Sequence, residues 1–231
     1  MSYWLIFSVL LGGVSFFSHI FVNKFKEHKD WTVSLAVGVL VSYLFLQVFP
    51  EIYNMASVFG ETIFLGVLIG FSIFYLAEKF MYRYLKHELI ESLEILHLII
   101  FFIYHLVIGV LLVSFFEINF LNGFVFFFSL AFLNLTSSAV FEVLHERKKR
   151  NRVVERIILS LGFIIGAFIA KFFILNSFLF GILLSFVGGV LIYIIGREVL
   201  PKENQGNPYF FIIGVLIYSI LLTYLNTFNL M

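Results

Sequence analysis

Residues Ala36 to Glu51 read AVGVLVSYLFLQVFPE, and residues Gly189 to Lys202 read GVLIYIIGREVLPK. With Gly38 laid on Gly189, Val39, Leu40, Val48 and Pro50 meet Val190, Leu191, Val199 and Pro201 at one fixed offset. A second match follows in the same order, GVLIGFSI from Gly66 against GVLIYSI from Gly214. A period longer than any single helix is the mark of an internal duplication.

Both copies lie in a chain that is apolar almost throughout. Of its 231 residues, 61% are hydrophobic and 13% charged, with 33 phenylalanines and a mean hydropathy of +1.05. A water-soluble surface cannot be built from that composition. Apolar runs of about twenty residues recur along the chain, the length a helix needs to cross a bilayer. Dividing at charged and turn-rich segments predicts eight spans: Tyr3–Asn23, Trp31–Phe49, Glu61–Phe80, Leu93–Phe116, Phe120–Leu144, Val153–Leu175, Phe178–Gly196 and Tyr209–Leu230. The second is expected to stop at Pro50 and the eighth to start just after Pro208, where proline breaks no interior bond. The first stretch lacks a basic leader and a small-residue cleavage site, so it reads as a retained helix.

The basic residues orient these spans. Fourteen of the fifteen Lys and Arg fall in KFKEHKD, the segment from Lys79 to Lys86, HERKKRNRVVER and the Arg197–Lys202 end of span seven. The remaining one is Lys171, which can reach the outer interface from the end of span six. The positive-inside rule then puts the basic loops in the cytoplasm and both termini outside, in a single transmembrane domain of the cell membrane. Spans two and seven are five apart in the order, so they cross in opposite directions. The expected fold is an all-α membrane protein in a 3+2+3 inverted repeat: residues 1–80, a central pair over 93–144, and residues 153–231. Such folds are mostly transporters, with the site near the midplane.

The central pair carries polar residues. Span four holds Glu94, His97, Tyr104 and His105; the two histidines are about 80° apart around the helix. On span five Asn134, Ser138 and Glu142 follow one another at helical steps of four. Up-and-down topology puts His105 level with Asn134, and His97 level with Glu142 nearer the cytoplasm. Two polar levels on facing helices are what an ion path needs. Asn and Ser also serve as plain interhelical glue, and His97 and Glu142 can reach the interface, so the structural reading stands beside the functional one. Gln47 and Glu198 are equivalent in the two copies, each three before its proline. Glu51 lies at the outer mouth, where it can receive an ion, and His19 reads as interfacial.

Other chemistries find no residues. His87-Glu88 and His145-Glu146 lack the second histidine of a zinc protease helix, position 91 being Glu and 149 Lys. There is no cysteine, one aspartate (Asp30), no nucleophile elbow and no phosphate loop, so an enzyme is not expected. The HERKKRNR cluster reads as a topology determinant rather than a nucleic-acid site.

Eight spans, outer termini, the 3+2+3 arrangement and the proline-acid end of span two together resemble the ZIP family of divalent metal transporters. AVGVLVSYLFLQVFPE is similar to that family's second helix, and FVGGVLIYIIGREVLPKE to its seventh. In the family's fourth-helix pattern Tyr104, His105 and Ile108 of YHLVIG stand at the histidine, asparagine and aspartate places. In the fifth, Asn134, Leu135, Ser137 and Ala139 replace histidine, glutamate, proline and glutamate, and Gln47 stands where the second helix often has a ligand. The resemblance implies a permease carrying a cation, of the divalent-metal class, with most carboxylates of the binuclear site absent. The sequence supports no resident cofactor. Two further readings remain open: a non-transporting membrane partner or regulator, for which a homodimer through glycine-bearing helices would be apt, and a carrier of another small solute.

Overall fold

The computed structural model describes residues 3–24, 29–84, 90–144, 152–172, 175–196 and 206–229. Among them there is helix and no strand. The helices are α1 (Tyr3–Lys24), α2 (Lys29–Tyr43), α3 (Phe49–Phe59), α4 (Phe64–Tyr84), α5 (Ile90–Ile118), α6 (Phe120–Leu144), α7 (Arg152–Phe172), α8 (Ser177–Ile194) and α9 (Pro208–Asn229). Four helical stretches among the described residues are long and apolar enough to cross a membrane: Val33–Phe59, Leu98–Ile118, Val153–Phe172 and Ser177–Ile194. Their outward residues are themselves apolar, as with Phe45, Ile103, Ile157 and Leu179. Lipid contact tolerates such a surface and water does not.

Local chemistry sets most helix ends. Asn176 caps α8, its side chain accepting from Leu179 N at 2.7 Å. Asn207 caps α9 in the same way, accepting from Tyr209 N at 3.0 Å. Pro208 is therefore the first helical residue, a position where its missing N–H leaves no gap. Between α5 and α6 only Asn119 is non-helical, and it ties the turn by accepting from Leu121 N at 3.0 Å. Gly60 takes φ +86 between α3 and the 3-10 turn Glu61–Ile63 that leads into α4, a conformation open to a residue without Cβ.

The expected stop at Pro50 does not occur. α2 runs into α3 through a π turn, Leu44–Val48, and Pro50 lies in the first turn of α3. Proline in a helix lacks an N–H and crowds the carbonyl of the preceding turn. The wider turn avoids that clash, the N–H of Phe49 reaching back to Leu44 O. The helix therefore continues to Phe59 instead of ending at Phe49. α8 changes in the same manner, turning π at Ile195 and Gly196. Ile195 follows Gly189 by the interval at which Leu44 follows Gly38.

Three helix pairs distant in sequence pack side by side and parallel. α2 lies along α9, from Trp31 stacked on Phe210 at 5.0 Å to Tyr43 edge-on to Tyr218 at 6.1 Å. α4 lies along α8, from Ile63 beside Gly181 to Phe74 near Tyr193. α5 lies along α7, from His105 on Phe163 to Glu117 beside Lys171. Glycines allow the backbones to meet. A Cβ at Gly38 would overlap the carbonyl oxygen of Phe211, and one at Gly214 that of Leu35. Across α4 and α8, a Cβ at Gly189 would overlap the carbonyl of Val67, and one at Gly70 that of Phe186. In all four cases the glycine meets the residue three before the partner glycine, and Gly109 of α5 and Gly166 of α7 meet Phe163 and Leu106 in the same way. Where hydrophobic burial gives no force between helices, such close approach and its Cα–H···O contacts supply the attraction. The glycine that stands as Gly214 stands is Gly70, one turn beyond the sequence match at Gly66.

Candidate functional site

The described interior is mostly Leu, Ile, Val and Phe, and a polar node lies within it. Tyr43 on α2, Gln47 in the π turn, Tyr104 on α5, Ser129 on α6 and Tyr218 on α9 supply it. Tyr218 donates its hydroxyl to Gln47 Oε1 at 2.7 Å. The Ser129 hydroxyl donates to Val125 O at 2.8 Å and lies 3.4 Å from the Tyr218 hydroxyl. The Tyr43 ring stands edge-on to that of Tyr218, their centroids 6.1 Å apart. Tyr104 is 2% exposed, packed against Phe74, and its hydroxyl has no hydrogen-bond partner among the described residues. A buried hydroxyl left unpaired costs about 1–3 kcal/mol, and among the described residues Ser160 and Ser185 carry hydroxyls in the same condition. The π turn adds a further acceptor, because Pro50 offers no N–H to the carbonyls of the turn before it.

His105 has a different seat. It is 6% exposed, stacks on Phe163 at 4.3 Å, and its Nδ1 lies 3.0 Å from Leu159 O. A carbonyl can only accept, so Nδ1 carries the proton and Nε2 keeps its lone pair. Gly162 makes the seat, since a Cβ there would stand 2.9 Å from His105 Cβ. The ring is thus held by α7. Asn134 is buried on α6 and donates to Leu130 O, one turn back in its own helix, at 2.9 Å. No hydrogen bond between His105 and Asn134 is formed among the described residues.

Of the remaining sequence-predicted residues, Glu51 is half-buried in the first turn of α3. The side chains of His97, Ser138 and Glu142, with Glu94 and His19, lie outside the described residues, as does Glu198. Lys171 pairs with Glu117 at 3.3 Å, both side chains half-exposed. Among the described residues no group of three His, Asp or Glu side chains comes together to hold a metal. Sequence reasoning reached Gln47 and missed its partner Tyr218, with Ser129 and Tyr43 beside that phenol. The one available signal was that Tyr218 stands one turn after Gly214, on the face that packs against α2.

No protein-family model matches the chain, and no curated protein is significantly similar to it.

Proposed function

We propose that the chain is a membrane permease of ZIP-like, 3+2+3 inverted-repeat build, carrying a cation by exchange of its two halves between an outward-open and an inward-open form. Both termini lie outside and the basic loops face the cytoplasm of the cell membrane. The observation that carries this reading is that two helix pairs sharing one glycine register also share a π turn, six residues after Gly38 in one and after Gly189 in the other. α2 meets α9 and α8 meets α4 through glycines that stand in the same relation to each other's carbonyls. A two-fold axis in the membrane plane that exchanges residues 1–80 with 153–231 accounts for both pairs at once. It also accounts for the π turns at Leu44 and Ile195. Two equivalent halves with two equivalent sliding seams are the physical requirement for access from alternate sides.

The divalent-metal class of cargo comes from the resemblance and finds support in His105. An imidazole whose Nδ1 is fixed by a backbone carbonyl presents Nε2 as a ligand, the usual outer-shell arrangement of metal-binding histidine. Asn134, the Glu142 position and the Gln47 carbonyl are the further oxygen donors of the path, with His97, Ser138 and Glu198 toward its cytoplasmic end and Glu51 at the outer mouth. A second reading, a carrier of a small uncharged solute, is favoured by the node itself. Gln47, Tyr43, Tyr104, Ser129 and Tyr218 are all neutral hydrogen-bonding groups, and neutral donors suit a cargo that brings no charge.

The deciding experiment is uptake into proteoliposomes of zinc, manganese, iron and cadmium, wild type beside His105→Ala and Glu142→Ala. Uptake of at least one metal, reduced tenfold or more by either substitution, is expected. Absence of uptake for every metal, with vesicle swelling in a small neutral solute, moves the assignment to the second reading.

A further inference from the structure

We infer that the Gln47–Tyr218 hydrogen bond is a one-sided latch that holds the α2–α9 seam shut, with no such bond across the equivalent α4–α8 seam among the described residues, so that the protein rests with one face closed. This rests on the inverted-repeat reading above and adds to it a preference between the two forms.

The inference comes from comparing the two seams residue by residue. Tyr218 follows Gly214 by one turn, and Phe74 follows Gly70 by the same interval. Gln47 follows Gly38 as Glu198 follows Gly189. The seams share their glycine contacts and differ in what stands one turn further on. At α2–α9 a phenol hydroxyl donates to an amide oxygen at 2.7 Å, with Ser129 of α6 close behind it. At α4–α8 the equivalent aromatic is Phe74, which has no group to donate or accept and packs on Tyr104 and Tyr193. Parting α2 from α9 breaks a part-buried side-chain hydrogen bond. Among the described residues, parting α4 from α8 breaks ring contacts such as Phe74 with Tyr193 and no side-chain hydrogen bond.

Direction follows from the helix polarity. α2 and α9 run parallel, and Gln47 and Tyr218 lie beyond Gly38 and Gly214 toward the C-terminal ends of both. With the orientation that the basic loops imply, those ends face outside. The latch therefore closes the outer side, and the resting form is open, if at all, to the cytoplasm.

The position of the latch in a π turn fits a moving part. A π turn has one residue more than the α turn it can relax to, so Gln47 can leave Tyr218 by a local change of hydrogen-bond register without unwinding the helix.

The absence of native cysteine allows a direct test by paired spin labels in lipid nanodiscs. One pair, Phe45→Cys with Ile220→Cys, spans the latched seam at exposed positions. Its equivalent across the other seam is Gly196→Cys with Leu76→Cys, and at Gly196 a Cβ meets nothing within 4 Å. In the otherwise native chain the first pair is expected to give one short distance. Tyr218→Phe, which removes a single oxygen, should raise a longer-distance population about fivefold, the worth of one ordinary buried hydrogen bond. The second pair should shorten in the same samples. A first pair whose distances stay unchanged in Tyr218→Phe overturns the latch. A first pair that lengthens while the second does not respond supports the latch and removes the exchange of halves on which the permease reading depends. Should Tyr218→Phe fold poorly, Gln47→Leu cuts the same bond from the other helix and must give the same shift.

Discussion

The Nδ1 of His105 sits 3.0 Å from the carbonyl oxygen of Leu159, so the deepest described imidazole of the central helix pair is held by α7 and stacked on Phe163. Two roles are thereby separated on one ring: Nδ1 ties α5 to α7, and Nε2 keeps the lone pair that the proposed metal cargo would need. Asparagine can reproduce the first, because its amide N–H lies near the place of Nδ1, and it lacks the second. His105→Asn is expected to retain thermal stability to within about 1 kcal/mol and to lose metal uptake. His105→Ala should lose both, at about 2–4 kcal/mol for the hydrogen bond and the space left between Phe163 and Gly162. Thermal unfolding in detergent read beside proteoliposome uptake checks the pair. Equal loss of stability in both variants would show that the donor to Leu159 cannot be mimicked.

Tyr104 invites the opposite kind of change. Its hydroxyl is buried without a partner, so Tyr104→Phe removes an unpaid desolvation cost and keeps the ring contact with Phe74. The variant should be more stable than wild type by about 1 kcal/mol, seen as a higher unfolding midpoint. A lower midpoint would mean that the hydroxyl has a partner in the membrane, such as an ordered water.

The glycine seams make a sharper forecast. Gly38→Ala drives a methyl group into the Phe211 carbonyl, which is backbone and cannot swing aside. Overpacking of this kind costs about 1–3 kcal/mol, and Gly189→Ala should cost a similar amount against Val67. Gly13→Ala, on α1 where a Cβ meets nothing within 4 Å, should instead stabilise by about 0.5–1 kcal/mol. Unfolding midpoints of the three variants, measured together, test the ordering.

Pro50 and Tyr218 should be coupled although one is backbone chemistry and the other a side chain. Pro50→Ala restores an N–H able to reach Leu46 O, favouring an ordinary α turn and turning Gln47 away from Tyr218. A double-mutant cycle of Pro50→Ala with Tyr218→Phe is expected to show a coupling of about 1 kcal/mol. Additive effects would mean that the π turn persists without the proline.

The Lys171–Glu117 pair joins the ends of α5 and α7 at half-exposed positions. Pairs of that kind are worth little, so Lys171→Ala is expected to change stability by no more than about 0.5 kcal/mol and uptake not at all.

What could be read from the sequence follows the range of the forces involved. The apolar runs were legible because a helix that meets lipid declares itself over twenty adjacent residues; α6, Phe120–Leu144, has the bounds expected for it. Pro50 misled because a proline ordinarily ends a helix, and the π turn that relieves it shows only in the backbone hydrogen bonds. Gly66 resembled Gly214 by letters, yet Gly70 occupies the matching contact, since GVLI repeated one turn early carries the same residues on a different level. Tyr218 and Gln47 stand 171 residues apart. No local pattern announces such a pair, and only the packing of α2 along α9 creates it.

That packing also orders events at birth. α2 is synthesised long before α9, and its glycine face around Gly38 stays uncovered until the last helix enters the bilayer. Nascent chains assemble from the N-terminus as they emerge, so the seam cannot close by stages. α9 is the keystone: until it is in place, Gln47 lacks the Tyr218 hydroxyl and the face of Gly38 lacks the Phe211 backbone that covers it.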